Sequence, residues 1–335
     1  MYSKQFKMCV ACVLCIVIIY CYMDKLRYSK MNNHSRLQFY LGKFKKADKE
    51  FVTNRKRTSK AEGGEVVDHR SSSTPRSPEV IYNFRVLYKE PLIRLLIACG
   101  FQHEYFYLIL GDNSDRQTRY ALAKTRTHDD TKATLLRCLE KDRHWWNYFN
   151  RPSDIPFETK QNTLIWRGTT TSTTERLANR FTCVTKWFNK HRNIDVGFSS
   201  VSEDKNEYKR FVKGKLSIQE MLHYKYILSI EGNDKDSGLN WKLNSNSLVF
   251  MAKPTCVSWL MEDQLVPNYH YILVEDEFGD LGERYEWCEQ NPDQCKQIIQ
   301  NANDFMKGFN DKKNEDSIEK KVFTIYINNV NSISG

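Results

Sequence analysis

The chain has few of the residues that mark fibrous or low-complexity proteins. Only 14 Gly and 8 Pro occur in 335 residues, which excludes a collagen-like repeat and a Pro/Gly-rich disordered chain. It also lacks positive charge where a nucleic-acid-binding body would carry it. The formal net charge is +10, yet residues 1–78 hold 16 Lys+Arg against 6 Asp+Glu, while residues 79–335 hold 35 of each. The basic excess belongs to an N-terminal arm, and no nucleic-acid partner is expected for the neutral body. Beyond the first 23 residues the cysteines are Cys99, Cys138, Cys183, Cys256, Cys288 and Cys295, and none forms a C-x-x-C pair. That removes the usual zinc spacing; buried thiols or one or two disulfides both fit. Walker, G-x-S-x-G, H-E-x-x-H and kinase signatures are missing as well. Apolar residues are not scarce. At 40% hydrophobic and 13% aromatic the chain can bury a real core, and its length predicts about two domains.

Met8 to Met23 carries no charge and is flanked by Lys4 and Lys7 before it and Asp24, Lys25 and Arg27 after it. As a helix it reaches about 24 Å, short of the roughly 30 Å hydrocarbon core, a mismatch that thin membranes or snorkelling lysines absorb. A cleaved signal peptide is the alternative, but cleavage wants small residues, and Tyr20, Cys21, Tyr22 and Met23 are mostly bulky. Residues 1–7 are therefore expected to be a short tail, 8–23 a transmembrane signal anchor and 24–78 a basic stem or linker. Positive charge on both sides leaves the orientation open: type II in the endoplasmic reticulum or Golgi of a eukaryote, or a bacterial inner membrane with the body in the cytoplasm. Cys9, Cys12, Cys15 and Cys21 are either helix filler or acylation sites. Residues 45–78 include Gly63-Gly64 and the run SSSTPRSP and read as flexible. Asn33-His34-Ser35 is the one N-glycosylation sequon.

From Glu79 the pattern turns globular. Apolar strand-like runs occur at Tyr105–Leu110, Thr163–Trp166, Tyr226–Ile230, Leu248–Met251 and Tyr271–Val274. Helix starts are marked by the capping box Ser217-x-x-Glu220 and by Asn291-Pro292, the latter leading a stripe of Cys295, Ile298, Ile299, Ala302 and Phe305. Alternating strands and helices predict an α/β fold with parallel strands, whose ligands bind outside the carboxyl ends of the strands.

Four constellations could carry chemistry, three of them at such places. Trp166-Arg167-Gly168-Thr169-Thr170-Thr171 offers a forked cation, a bare backbone and hydroxyls for an anion; a structural Arg–carboxylate pair is the alternative. Asp112 follows a strand and can serve as a general base, or can merely close an Asx-turn. Asp234-Lys235-Asp236 can hold a divalent cation or be a polar turn. Arg143-His144-Trp145-Trp146 suits a sugar face or a packed interface.

Taken in order, these residues resemble glycosyltransferase family 90. The resemblance is carried by Asp154-Ile155-Pro156-Phe157-Glu158 with Lys160, by TLIWRGTTT with Arg176-Leu177, by Asp195-Val196-Gly197-Phe198-Ser199, and by the stretch from Tyr226 to Phe305. It is closest to the lipopolysaccharide-core branch, related to capsule-associated proteins and protein O-glucosyltransferases. The resemblance implies a GT-B architecture, with an acceptor-side Rossmann-like part at 79–160, a nucleotide-sugar-binding part at 161–310 and a tail at 311–335 that returns to the first part. It implies an inverting transfer from a nucleotide sugar, with no cofactor and no obligatory metal, to a glycan, glycoprotein or glycolipid acceptor. Asp112 matches the family's general base and Arg167 its diphosphate-binding arginine. Gly168, Thr169, Thr170, Glu231, Gly232, Asn233, Ser245 and Ser247 are expected around the donor, and Arg143 and His144 beside the acceptor. Lys242 stands where the O-glucosyltransferase branch has a second donor-binding Arg. A carbohydrate-binding or scaffold protein that keeps the fold without the reaction is the alternative.

Overall fold

The computed structural model describes residues 32–42, 86–101, 104, 106, 121–128, 133–140, 153–172 and 176–331. Helices α1 (Asn33–Leu41) and α2 (Val86–Cys99) precede the short strands β1 (Leu122–Ala123), β2 (Arg126–Thr127) and β3 (Thr134–Leu135). The central part runs β4 (Gln161–Thr169), α3 (Arg180–Trp187), β5 (Ile194–Ser200), α4 (Ile218–Met221), β6 (Tyr224–Ser229), α5 (Leu239–Leu243), β7 (Leu248–Met251), β8 (Cys256–Val257) and β9 (Ile272–Leu273). Helices α6 (Leu281–Gln290), α7 (Pro292–Lys307) and α8 (Lys312–Asn331) follow.

Five strands form one parallel sheet in the order β5-β4-β6-β7-β9, so the fold is mixed α/β with parallel strands, as the alternation predicts. The period-two alternation of side chains gives each strand two apolar faces. Leu164 and Trp166 enter a core with Val196, Phe198, Tyr226, Leu228, Phe250 and Ile272. Ile165 and Ile227 point the other way, towards Leu222 and Trp241. The chain goes from β4 outward to β5, then back past β4 to β6. The winding therefore reverses between β4 and β6, and a crevice opens at their carboxyl ends.

Helix α7 buries the expected stripe of Cys295, Ile298, Ile299, Ala302 and Phe305, together with Met306. A second core joins the two flanks of the sequence: Tyr40, Leu92, Leu96, Leu139, Trp259, Phe309, Phe323 and Tyr326 cluster together. Within the span 24–78 expected as a stem, α1 is instead a docked helix. Arg36 meets Glu315 of α8 at 2.6 Å with both side chains 2% exposed, and its guanidinium lies 4.7 Å from the centre of the Phe309 ring. The Tyr40 hydroxyl donates to the Trp259 carbonyl at 2.7 Å. Arg137 reaches Asp316 at 2.5 Å and Glu319 at 2.9 Å, so α8 is held from two sides.

Cys99, Cys138, Cys183, Cys256, Cys288 and Cys295 are free thiols. The expected anchor at 8–23, the linker residues 43–85, the run Tyr107–Leu110, Asp112, Arg143 and His144 lie outside the described residues. Among the described residues no helix is long and apolar enough to cross a membrane.

Candidate functional site

The crevice between β4 and β6 is built from the loops that leave those strands. After β4 the chain enters α3, whose N-cap Asn179 accepts a hydrogen bond from the Thr182 amide at 2.9 Å. Arg180, in the first turn of α3, folds back over the strand end. Its Nη1 donates to the Thr169 carbonyl and to Thr171 Oγ1, each at 3.1 Å. The two threonine hydroxyls lie 2.7 Å apart. Gly232, just after β6, forms the opposite wall, and a Cβ there would stand 2.9 Å from Arg180 Nη2 and 3.3 Å from the Thr171 carbonyl. A Cβ would push the end of Arg180 aside and crowd the Thr171 carbonyl, so glycine leaves the guanidinium room to cross at this point. The result is a cation and two exposed hydroxyls at a helix N-terminus, the chemistry that binds phosphate oxygens.

Beside it, Glu231 pairs with Arg176 at 3.0 Å and accepts from the Thr255 hydroxyl at 2.6 Å and the Thr255 amide at 3.0 Å. Burial raises the Glu231 carboxyl above its ordinary value against the pull of Arg176 and the Thr255 donors. Arg176 also donates to the Asp234 carbonyl at 3.3 Å, which stitches the loop after β4 to the loop after β6. A narrow cleft continues from Glu231 past Asp236, Leu239, Met251 and Pro254, with about 20 Å³ of free space, room for about one water.

The two carboxylates of Asp234-Lys235-Asp236 turn to different lysines. Asp234 meets Lys124 at 2.9 Å and accepts from Thr125 at 3.1 Å. Asp236 pairs with Lys242 and accepts from Ser229 at 2.6 Å. Burial works against ionised Asp236, but Lys242 and the Ser229 and Gly238 donors hold it below the usual carboxylate range. Among the described residues no group of three or more His, Cys, Asp or Glu is arranged to hold a metal ion.

Several residues expected around the donor have other surroundings. Arg167 lies on a face of the sheet with its side chain 7% exposed, and Nη2 meets Asp195 at 2.7 Å. Lys213 reaches the same carboxylate at 2.6 Å, over the bare backbone of Gly197. Burial alone would raise Asp195; Arg167 and Lys213 together hold it below its ordinary value. The Arg–carboxylate pair of the sequence reading is thus present. Gly168 leaves room for the Trp166 indole, whose Cζ2 would be 2.6 Å from a Cβ, so its missing side chain serves packing rather than the approach of a ligand. Thr170 is buried and accepts from the Ser202 amide at 3.0 Å. Thr169, Glu231, Gly232 and Asn233 do meet at the crevice, where the Asn233 carbonyl accepts from Arg176 at 3.5 Å. Lys242 lies behind it, bonded to Asp236 and to the Leu228 carbonyl.

Ser245 and Ser247 are at the other end of the sheet. Their hydroxyls donate to the Lys242 carbonyl at 2.6 Å and the Tyr224 carbonyl at 2.7 Å, in the turn that leads into the start of β7. The sequence reading missed Arg180 as a site residue and gave Arg176 no role. Asn179 in front of an apolar-periodic run was the available signal: it caps a helix, and the helix that follows the first strand of a doubly wound sheet presents its N-terminus to the ligand.

Comparison with known proteins finds relatives of this chain. An O-glucosyltransferase LpsA from Dichelobacter nodosus is 33% identical over 191 residues, which cover 57% of this chain and 56% of that protein. Two viral proteins of no described function match shorter stretches. Protein 035R of Invertebrate iridescent virus 3 is 32% identical over 101 residues, covering 30% of this chain and 9% of its own length. Protein 179R of Invertebrate iridescent virus 6 is 27% identical over 134 residues, covering 38% of this chain and 11% of its own length. The match to this chain thus spans about half of LpsA and about a tenth of each viral protein. The family model described as "Glycosyl transferase family 90" matches residues 140–321, more than half of the chain and the whole span from β4 to α7, and the chain belongs to that family.

Proposed function

We propose that this chain is a glycosyltransferase that moves a sugar from a UDP-sugar to a hydroxyl of a glycan, protein or lipid, with inversion and without an obligatory metal. The observation that carries the reading is the crossing of Arg180 over Gly232 onto Thr169 and Thr171 at the reversal of the winding. A guanidinium fork and two hydroxyls at a helix N-terminus answer the charge that grows on a departing diphosphate. The parallel sheet supplies one Rossmann-like half of a GT-B architecture. Family membership and the LpsA relative's description as an O-glucosyltransferase point to the same reaction.

The step is a displacement at the anomeric carbon. Asp112 takes the proton of the acceptor hydroxyl, the acceptor oxygen bonds to that carbon, and the bond from the carbon to the diphosphate oxygen breaks. Arg180, supported by the Arg176–Glu231 pair, holds the leaving diphosphate, and Arg167 stiffens the strand that carries Thr169. Each aspartate of Asp234-Lys235-Asp236 is neutralised by its own lysine, so guanidinium groups rather than a carboxylate-held cation meet the diphosphate. The apolar run 8–23 attaches the enzyme to a membrane.

The test incubates the full chain with a panel of nucleotide sugars in excess chelator and follows nucleotide release. Turnover of a UDP-sugar is expected, reduced by about 10²-fold or more in Asp112→Asn with donor binding kept. Absence of release from every donor, with folded protein, would sink the assignment. Activity lost to chelation, restored by Mn²⁺, and absent from a folded Asp236→Ala would overturn the metal-free mechanism.

A further inference from the structure

A second groove shares no lining residue with the cleft beside β6. It lies between the end of α3 and the outer side of α6, is open, and measures about 540 Å³. Two tryptophans line it. Trp187 is fixed, because its indole N–H donates to the Phe278 carbonyl at 2.7 Å and its ring packs on Gly282, where a Cβ would stand 3.0 Å from Cη2. Trp287 is 42% exposed, one of four large apolar side chains among the described residues that face water. Glu283, Glu286 and Gln290 follow one another at helical spacing along α6 and share its groove side. His191 stands opposite, 3.5 Å from Glu286 and edge-on to Tyr285.

This composition selects a class of ligand. A pyranose ring has an apolar face of C–H bonds and a rim of hydroxyls. An indole face takes the first, and carboxylates, an amide oxygen and an imidazole take the second. A second nucleotide, a phosphate or a sulfated glycan is repelled, since Glu283 and Glu286 make the rim acidic and no Lys or Arg is among the lining residues. We propose that this groove, which lies towards the amino end of the sheet and away from the crevice, binds a neutral oligosaccharide.

The test is calorimetric titration of the full chain, without nucleotide, by maltohexaose, cellohexaose and a sulfated heparin hexasaccharide. A neutral hexasaccharide is expected to bind at millimolar concentration, about tenfold more weakly to Trp287→Ala and nearly normally to Trp287→Tyr. Glu286→Gln should weaken it severalfold, and UDP should not compete. Unchanged melting temperatures confirm that the variants fold. The proposal is overturned if no neutral hexasaccharide binds, if Trp287→Ala binds as the native chain does, or if the sulfated probe binds best. It is equally overturned if sedimentation shows that the groove joins two copies of the chain, with Trp287→Ala separating them. Binding without turnover of any nucleotide sugar would retire the transferase assignment and leave the groove; turnover without binding would do the reverse.

Discussion

The two ends of the five-stranded sheet use the same kinds of polar residue in opposite ways. At the amino end they are consumed by the chain itself. Asp154 takes Lys160 at 2.5 Å, the Ile155 amide at 2.8 Å and the Asn246 amide at 2.5 Å. The Ser247 hydroxyl closes on the Tyr224 carbonyl, and Tyr285 on the Asn162 carbonyl. At the carboxyl end Thr169 and Thr171 stay exposed and Arg180 crosses an open mouth. A polar motif can meet a ligand where part of it stays open to solvent. In a parallel sheet that is the end where helix N-termini gather.

Asp154→Ala would break this comparison hardest. It leaves Lys160, whose side chain is fully buried, without its carboxylate, and removal of one partner from a buried pair costs about 3–5 kcal/mol. A fall of that size in urea-melt stability is expected, with transfer per folded molecule unchanged. A stable variant would show that the amino end does not fasten the fold. Arg180→Ala is the mirror experiment. Transfer should drop about 10²-fold, the scale of losing one preorganised donor to a developing anion, with stability within about 1 kcal/mol of the native chain. Kinetics and melts on one sample separate the two, and undiminished transfer would remove Arg180 from the mechanism.

The smallest effect concerns Asp195, on the sheet face between the two ends. Its folded carboxyl is held below the ordinary value by Arg167 and Lys213. The stabilisation is therefore complete above the ordinary carboxylate value of about 3.9 and is lost as pH falls through the lower folded value. Asp195→Asn should flatten that acid limb without altering transfer at neutral pH. Melting curves from about pH 5 to about pH 3 check it, and equal acid limbs in both proteins would refute it.

Four of the five strands were legible because Leu164, Trp166, Leu228, Phe250 and Ile272 stand in the apolar runs of a sheet buried on both faces, and α7 because its stripe repeats at helical period; β5, broken by Asp195 and Gly197, was not read as a strand. The place of the crevice was legible too, since carboxyl ends of strands follow from chain direction. What each polar residue faces was not. Ser245 and Ser247 read as a donor loop although they precede β7 rather than follow it. The glycine of Trp166-Arg167-Gly168 read as room for a ligand, and the Trp166 indole, two residues away, fills that room. Nothing local to α1 shows that Arg36 waits for Glu315.

That last pairing has a consequence for synthesis. Arg36 and Glu315 are 279 positions apart, and both are buried in the finished protein. At about 5–20 residues per second, the arginine is made roughly 14–56 s before its partner. Until then α1 has no carboxylate to receive its guanidinium, although the Trp259 carbonyl for Tyr40 is made earlier, and contacts of such span form late. The sheet can condense first, with α1 held open beside it. Closure then belongs to the emergence of α8, so a ribosome that stalls before residue 315 leaves α1 undocked, with its apolar face exposed to chaperones and proteases.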